Sequence, residues 1–261
     1  MKFIQCIQNS NKQVNVEDTI YAIKNAGFDG VFIQWYDEDL QFSQQQQLDL
    51  CKKLGLSIEF CHLGYNGINN IWIEGQAGDN LVTKYINNLQ QCKQNNINLV
   101  VMHLSSKHVA PPPSTVGLER LKLIIKKAEE LNIKIAFENT KIWGYLEYVF
   151  DNIQSNNIGV CLDSGHLHCH FDNKYSWDRF KNKIYALHLH DNDKSKDQHL
   201  LPFDGTINWQ TLLNNIKQAN YAGPLTLESC YQNDYTKISV SEFYSQSITR
   251  AKKLLDIYNN Q

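Results

Sequence analysis

The chain has 261 residues and a formal charge of -2 at pH 7, which gives no global electrostatic reason to expect nucleic acid or an anionic membrane as a partner. No apolar run approaches the roughly 18 residues that a membrane span needs, and Gln5 and Gln8 interrupt the short apolar start, so a cytoplasmic protein is expected. The seven cysteines include no C-x-x-C pair and are expected to be reduced thiols.

Short apolar runs alternate along the chain with longer amphipathic ones, a pattern that is typical of repeated βα units. Strands are predicted near residues 2–7, 29–35, 57–62, 98–104, 133–138, 158–163, 184–190 and 224–229. Helices are predicted near residues 17–26, 44–54, 79–95, 115–131, 144–154, 174–183, 208–219 and 238–257. Gly27 and Gly55 end the first two helices, as glycine often does.

Eight βα units form either a closed barrel or an open doubly wound sheet. No G-x-G-x-x-G motif follows the first predicted strand, so a dinucleotide-binding sheet is disfavoured. The predicted fold is therefore a single α/β domain over residues 1–261, a (β/α)₈ TIM barrel whose active site lies at the C-terminal ends of the strands.

Six of the predicted strands carry an ionisable residue at their end or within two positions of it. Because side chains alternate along a strand, the residue two positions before an inward-facing one must also face inward. Each of the six has a residue suited to a barrel interior at that earlier position: the pairs are Phe60 and His62, Val101 and His103, Ala136 and Glu138, Cys161 and Asp163, Ala186 and His188, and Thr226 and Glu228.

Four of these strand-end residues make a plausible set of metal ligands. Glu138, Asp163, His188 and Glu228 supply three carboxylates and one imidazole, which suits a divalent ion. Mn²⁺, Mg²⁺, Co²⁺ and Zn²⁺ all stay open, because the general order of affinities does not choose among them.

Eight segments carry a resemblance to a known family, namely GFDGVFIQW, HLGYNGINNIW, VVMHLSS, IAFENT, VCLDSGH, LHLHDND, DQHLLPFDGTINW and GPLTLES. In order and spacing they resemble the xylose-isomerase-like barrel superfamily, in which sugar phosphate isomerases and epimerases stand beside the AP endonuclease family 2 enzymes. The resemblance implies that Glu138, Asp163, His188 and Glu228 hold the metal and that the two glutamates are the acid/base pair. The predicted function is isomerisation or epimerisation of a small sugar or sugar derivative beside a metal-bound carbonyl, with dehydration of a keto-inositol as a close variant.

The same resemblance implies an alternative, a zinc-dependent phosphodiesterase of the AP endonuclease type. Carried over, the ligands fall into three zinc sites: His62, His103 and Glu138 at one, Asp163, His188 and Glu228 at a second, and His166, Asp197 and His199 at the third. The residues that flank these ligands depart from the endonuclease pattern, for example Leu-Ser-Ser after His103 in place of Pro-Gly. All three arginines fall in predicted helices and not in loops, which also argues against a nucleic-acid partner.

Aromatic and basic residues near the strand ends are the candidates for substrate binding. Trp35, Trp143 and Phe203 could offer flat apolar faces to a sugar, with core packing as the alternative. Four loop lysines could hold a sugar phosphate, with solvated loop charges as the alternative, namely Lys107, Lys141, Lys194 and Lys196. Asp191 and Asp193 are expected to orient neighbouring imidazoles or to cap their loop. The resemblance also allows a homo-oligomer, although nothing in the sequence marks the surface involved.

Overall fold

The structure is a computed structural model that describes residues 1–8, 14–35, 42–107, 109–142, 144–171 and 176–260. Its eight strands are β1 (Phe3–Cys6), β2 (Gly30–Trp35), β3 (Ser57–Leu63), β4 (Leu99–Met102), β5 (Lys134–Glu138), β6 (Ile158–Asp163), β7 (Ile184–His188) and β8 (Leu225–Leu227). Eight α-helices follow them in alternation: α1 (Val16–Ala26), α2 (Gln44–Leu54), α3 (Gln76–Gln94), α4 (Thr115–Leu131), α5 (Tyr145–Asn152), α6 (Ser164–His170), α7 (Trp209–Gln218) and α8 (Val240–Asn259).

The strands form one parallel sheet in the order β7-β6-β5-β4-β3-β2-β1-β8. The two ends of this sheet meet just beyond β7, where the Leu189 amide donates to the Thr226 carbonyl at 2.9 Å and the Glu228 amide donates to the Leu189 carbonyl at 3.0 Å. The sheet is thereby closed into a barrel, and the predicted (β/α)₈ fold is confirmed.

Side chains on the two faces of the barrel build two separate cores. The inner cluster consists of Ile4, Cys6, Phe32, Phe60, Val101, Ala136, Cys161 and Ala186. The larger outer cluster lies between strands and helices and includes Ile135, Phe137, Leu187 and Leu189, which are the residues of opposite parity. The division of inward and outward residues that the sequence predicted for these strands is therefore correct.

The sixth helix does not lie where the sequence predicted it. It was expected over 174–183, but α6 begins directly after β6 at Ser164, while residues 177–183 form turns. The reason is local, because the Asp163 side chain accepts a hydrogen bond from the His166 amide at 2.7 Å and caps a helix there. Arg179 consequently lies in a turn and not in a helix, where it bonds Asp151 and the Glu147 carbonyl.

A 3₁₀ helix at Ile68–Trp72, which the sequence did not predict, precedes α3. The guanidinium of Arg120, a buried residue of α4, holds this β3–α3 segment in place. It pairs with Asp79 at 2.8 Å and also donates to four backbone carbonyls, those of Asn70, Ile71, Ile73 and Gly75. The segment is therefore tied to the outer layer of the barrel.

The remaining expectations concern thiols and membrane spans. All seven cysteines are free, and five of them are buried. Within the described ranges, no helix combines the length and the apolar character that crossing a bilayer requires.

Candidate functional site

The ionisable strand-end residues meet at the C-terminal mouth of the barrel. His62 lies on β3, Glu138, Asp163 and His188 are the last residues of β5, β6 and β7, and His103 and Glu228 directly follow β4 and β8. All six are buried. Because parallel strands end at the same edge, residues from distant parts of the sequence become neighbours here.

Glu138 lies at the centre of this group. Its Oε2 atom lies 3.2 Å from Nε2 of His62, 3.2 Å from Nε2 of His103 and 3.3 Å from Nδ1 of His188. Its Oε1 atom lies 3.1 Å from Nδ1 of His166. Each oxygen of one carboxylate thus faces a different set of imidazoles.

The four residues predicted to hold a single metal are brought together. Nδ1 of His188 lies 3.3 Å from Oε2 of Glu138, 3.3 Å from Oε2 of Glu228 and 3.9 Å from Oδ2 of Asp163. Three carboxylates from three strands therefore converge on one imidazole nitrogen.

The three residues that the resemblance assigned to an additional metal also lie side by side. Oδ2 of Asp197 lies 3.2 Å from Nε2 of His166 and 3.4 Å from Nε2 of His199. His166 reaches this group with one nitrogen and Glu138 with the other, so it connects the two parts of the site.

The charges of these groups depend on one another. Burial opposes ionisation of Glu138, but the imidazoles of His103 and His188 hold the pKa of its carboxyl well below the ordinary value. In the same way burial opposes ionisation of Asp163, and the imidazoles of His166 and His190 still lower its pKa to about 2.

The pKa values of the imidazoles are raised in some cases and lowered in another. Burial acts to lower the pKa of His188, but Cys161 and Glu228 raise it well above the ordinary value. Likewise, burial acts against protonation of His166, but Asp163 and its other carboxylate neighbours raise its pKa. For His103 burial prevails, and the pKa is lowered.

The donor set fits a divalent metal ion. Nδ1 of His166, Nδ1 of His188 and Oδ1 of Asp197 are buried atoms without a hydrogen-bond partner among the described residues. A bound cation satisfies such atoms, since a neutral imidazole or a carboxylate offers it a lone pair. Ligand atoms lie within 4.8 Å of one another in several sets of three, including His62, His103 and Glu138, and Asp163, His188 and Glu228.

A cavity of about 630 Å³ lies over this group and is lined by seven of its residues, namely His62, His103, Glu138, His166, Asp197, His199 and Glu228. That volume is in the range of pockets for small ligands. Of the predicted substrate-binding residues, Lys107 lines the cavity. Trp143 lies outside the described residues.

The other two predicted substrate-binding aromatic residues do not line this cavity. The ring of Trp35 faces α3, where Nε1 donates to Oε1 of Gln91 at 3.0 Å, because Phe32 and Gln34 take the inward positions of β2. Phe203 packs at 5.9 Å from the ring of Trp209, between centroids, and under the ammonium of Lys253. The substrate-binding role predicted for them therefore has no support from their positions.

Residues 20–254 match the family described as xylose isomerase-like TIM barrel. The chain belongs to this family. Among relatives of this xylose isomerase-like barrel, the uncharacterized protein y4fM of Sinorhizobium fredii is 35% identical over 132 residues, which are 48% of this chain and 42% of y4fM. The chain thus spans less than half of that protein's length.

Two relatives with named activities point in different directions. Inosose isomerase of Halalkalibacterium halodurans is 22% identical over 254 residues, covering 90% of this chain and 88% of the relative. Probable endonuclease 4 of Mycoplasma mycoides is 24% identical over 189 residues, covering 63% of this chain and 65% of the relative. Both kinds of enzyme are thus similar to this xylose isomerase-like barrel.

Solved structures share its fold. A D-tagatose 3-epimerase-like protein superimposes with a TM-score of 0.77 at 20% identity, covering 100% of this chain and 99% of the other. The IOLI protein with a binding zinc atom gives a TM-score of 0.75 at 17% identity, with coverage of 100% and 99%.

One residue of this xylose isomerase-like barrel was not among the predicted ligands. His190 is fully buried, and its Nε2 lies 3.1 Å from both carboxylate oxygens of Asp163. Its ring stacks on His199 at 4.0 Å between centroids and fills the space where a side chain at position 165 would start, since a Cβ on Gly165 would lie 1.9 Å from its Cε1. The alternation of side chains along a β-strand indicated that His190 faces the site, because His188 and His190 lie on the same face of the predicted strand.

Asp191 was expected either to orient neighbouring imidazoles or to cap its loop, and it caps the loop. It is fully buried and accepts hydrogen bonds from the amides of Asn192, Phe203 and Ile207 and from Nε1 of Trp209. Asp193 accepts from Ser195 in the exposed part of the same loop. The loop that carries Asp197 and His199 is thereby fixed to the barrel.

Further lining residues escaped the sequence analysis because nothing but their position distinguishes them. They are polar or aromatic side chains next to the predicted ligands, namely Gln34, Tyr65, Ser105, Thr140 and Cys230. Lys141, a predicted candidate for phosphate binding, also lines the cavity. Tyr65 stacks on His103 at 4.2 Å between centroids. For Gln34 the parity of β2 was the usable signal.

Proposed function

We propose that the protein is a metal-dependent isomerase or epimerase that moves a proton next to the carbonyl of a small sugar or sugar derivative. The observation that carries this proposal is the approach of Glu138 and Glu228 to one nitrogen of His188, at 3.3 Å each, from β5 and β8 on the floor of a cavity sized for a small molecule. Similarity to inosose isomerase and to a D-tagatose 3-epimerase-like protein supports it.

Glu138, Asp163, His188 and Glu228 would hold the metal. A divalent ion bound there would supply Lewis-acid help that makes the proton beside a carbonyl more acidic. The protein itself would hold the substrate with its reacting carbon between the two glutamates. The buried residues on the floor of the cavity would keep bulk water away from that carbon.

The two glutamates have unequal surroundings. Both oxygens of Glu138 lie within 3.3 Å of imidazole nitrogens. Glu228 contacts His188 through Oε2, and among the described residues its Oε1 makes no hydrogen bond. Glu228 is therefore the better proton acceptor, because a base needs an oxygen that is free to reach the substrate.

The fate of the proton decides the product. If Glu138 relays a proton from the imidazole of His166, 3.1 Å from its Oε1 atom, to the same carbon from the opposite side, the configuration inverts, and the reaction is an epimerisation. If Glu228 delivers its proton to the neighbouring carbon, and the hydroxyl proton passes to the oxygen of the former carbonyl, the reaction is an aldose–ketose isomerisation. Both reactions use the same first step, the removal of a carbon-bound proton by Glu228.

That first step gives the test. In deuterium oxide, the wild type with its metal should exchange a carbon-bound proton of at least one ketose in a panel of D-tagatose, D-allulose and L-ribulose. Glu228→Gln should slow this exchange about 100-fold or more, since a positioned base contributes that much. Glu119→Gln, at an exposed position of α4, is the matched control and should exchange normally. Exchange at the wild-type rate in folded Glu228→Gln would contradict the proposal.

A second candidate is a zinc-dependent phosphodiesterase. It is favoured by one observation, the contacts of His62 and His103 with Glu138 and of His166 and His199 with Asp197, which add two donor groups beside the first. Similarity to a probable endonuclease 4 supports it. Against it, the described residues that line the cavity include no arginine, the residue best suited to clamp a phosphodiester.

Metal content separates the two candidates. Protein purified without chelators should contain about one divalent ion per chain if it is an isomerase that uses the Glu138 set alone. About three zinc ions per chain, with cleavage of an oligonucleotide that contains an abasic site, would favour the phosphodiesterase. His199→Ala should abolish that cleavage, whereas it should weaken substrate binding and leave the first metal in an isomerase.

A further inference from the structure

The cavity has a basic wall on one side. Lys107, in the loop after β4, and Lys141, in the loop after β5, both line it. They are the only lysines or arginines among its described lining residues. We infer that this wall binds an anionic group, a phosphate or a carboxylate, on the substrate, a conclusion that rests on the proposed sugar isomerase function.

Charge is distributed unevenly around the mouth of the barrel. In an eight-stranded barrel the β8–β1 side lies across from the β4–β5 side. Apart from Glu228, the described residues that line the cavity on the β8–β1 side are neutral, namely Cys6, Gln8, Cys230 and Gln232. An elongated substrate with one anionic end is therefore bound in a single direction, with that end toward β4 and β5.

Neither ammonium group is neutralised by a residue that the structure describes. Lys107 is exposed, Lys141 is half-buried, and neither makes an ion pair with a described residue. Elsewhere in the described chain Arg120 pairs with Asp79 and Arg250 pairs with Asp204. Two free ammonium groups on one cavity wall are available to a ligand, and charge-assisted hydrogen bonds to an oxyanion are the strong kind.

The loop that carries Lys107 has a strained backbone conformation that a neighbouring side chain fixes. Its backbone is left-handed at Lys107, with φ of 67°, a conformation that costs free energy for any residue other than glycine. The side-chain amide of Asn69 fixes the preceding residue, since it donates to the Ser106 carbonyl and accepts from the Ser106 amide, both at 2.9 Å. The left-handed backbone at Lys107 therefore places this lysine on the cavity wall at a cost in stability.

Hydroxyl groups complete the wall. The side-chain oxygens of Ser105 and Thr140 lie 3.1 Å apart and join the loops after β4 and β5. Both residues are buried and line the cavity, two positions before Lys107 and one position before Lys141. Hydroxyl donors together with ammonium groups are the chemistry that recognises phosphate and carboxylate oxygens.

The test compares three ligands that differ at one carbon: D-fructose, D-fructose 6-phosphate and D-fructuronate. Their binding to the metal-loaded protein is measured by calorimetry, which needs no turnover. At least one of the two anions should bind about 10-fold or more tightly than D-fructose, and Lys107→Ala with Lys141→Ala should remove that advantage while D-fructose binds as before. Lys122→Ala, on the exposed face of α4, is the matched control.

The pattern of results is decisive. A gain for D-fructose 6-phosphate alone identifies a phosphorylated substrate, and a gain for D-fructuronate alone identifies a sugar acid. Equal affinity for all three ligands overturns the inference. So does an anion advantage that survives in the double variant, because the anion then binds the metal and not the lysines.

A second variant tests the strained backbone. Lys107→Gly removes the ammonium group and at the same time relieves the left-handed conformation, so it should raise Tm and weaken anion binding together. A lower Tm, or unchanged anion binding, contradicts the role given to Lys107. If the lysine effects hold while Glu228→Gln still exchanges carbon-bound protons, the anion site stands and the isomerase proposal fails.

Discussion

Two layers of the barrel interior lie one above the other on the same strands and consist of opposite kinds of side chain. On β5, β6 and β7 the lower layer is Ala136, Cys161 and Ala186, all buried and apolar. Two residues further along, the upper layer is Glu138, Asp163 and His188.

The comparison separates stability from function. The lower layer is favourable by itself, because it removes apolar surface from water. The upper layer buries ionisable groups, which is unfavourable unless they pair or bind a cation. We therefore expect the lower layer to stabilise the fold and the upper layer to depend on metal.

The largest effect is expected in the lower layer. Phe60 stacks on Phe32 at 4.6 Å between centroids and lies below His188 at 5.7 Å. Phe60→Ala should reduce the free energy of unfolding by about 3–5 kcal/mol, because it leaves a cavity inside the barrel. Chemical denaturation measures this loss, and Phe60→Leu should lose much less. A cost below about 1 kcal/mol for the alanine variant would refute a tightly packed lower layer.

Removal of metal should affect the upper layer. A chelator should lower Tm, and a divalent ion added back at about 100 times its Kd should restore about 2.7 kcal/mol to the free energy of unfolding. Glu138→Gln should lose most of this metal-dependent gain, because Glu138 contacts four imidazoles of the site, namely those of His62, His103, His166 and His188. An identical Tm with and without chelator would show that the upper layer does not need metal.

His190 combines features of the two layers. It is fully buried, as the lower layer is, and it contacts Asp163 of the upper layer. His190→Ala should weaken metal binding about 10–100-fold, because Asp163 loses the group that orients it. Competition with a chromophoric chelator measures this affinity. His168→Ala, at an imidazole that bonds Thr206 near the surface, should bind metal normally. Equal affinity in the two variants would make His190 a packing residue only.

The smallest effects should come from neighbouring residues on β2. Trp35→Phe should cost about 1 kcal/mol of stability through the lost bond to Gln91, with KM unchanged. Gln34→Ala should instead raise KM, because Gln34 lines the cavity. The reverse pattern would mean that β2 presents the opposite face to the cavity.

Period-two alternation made most of the site predictable. Ala136 and Cys161 indicated which faces of β5 and β6 point inward, and Glu138 and Asp163 lie on those same faces. Because the strands are parallel and form a closed barrel, the two carboxylates become neighbours. The same rule, applied to β2, would have selected Gln34 and rejected Trp35.

What escaped prediction depends on contacts between distant parts of the chain. Phe203 has a left-handed backbone, with φ of 77°, and its amide is held by Asp191, so its ring direction follows from a loop that no periodicity describes. The position of α6 depends on Asp163 acting as a helix cap, a role that its place at a strand end conceals.

The close packing of His190 against Gly165 has a consequence for sequence variation. With a histidine at position 190, any side chain at 165 would collide with the ring, since its Cβ would lie 1.9 Å from Cε1. A homologue with a smaller residue at 190 is free of this restriction. The two positions should therefore change together during divergence, and a substitution at 165 that is harmful in this chain should be tolerated where the imidazole has already been replaced.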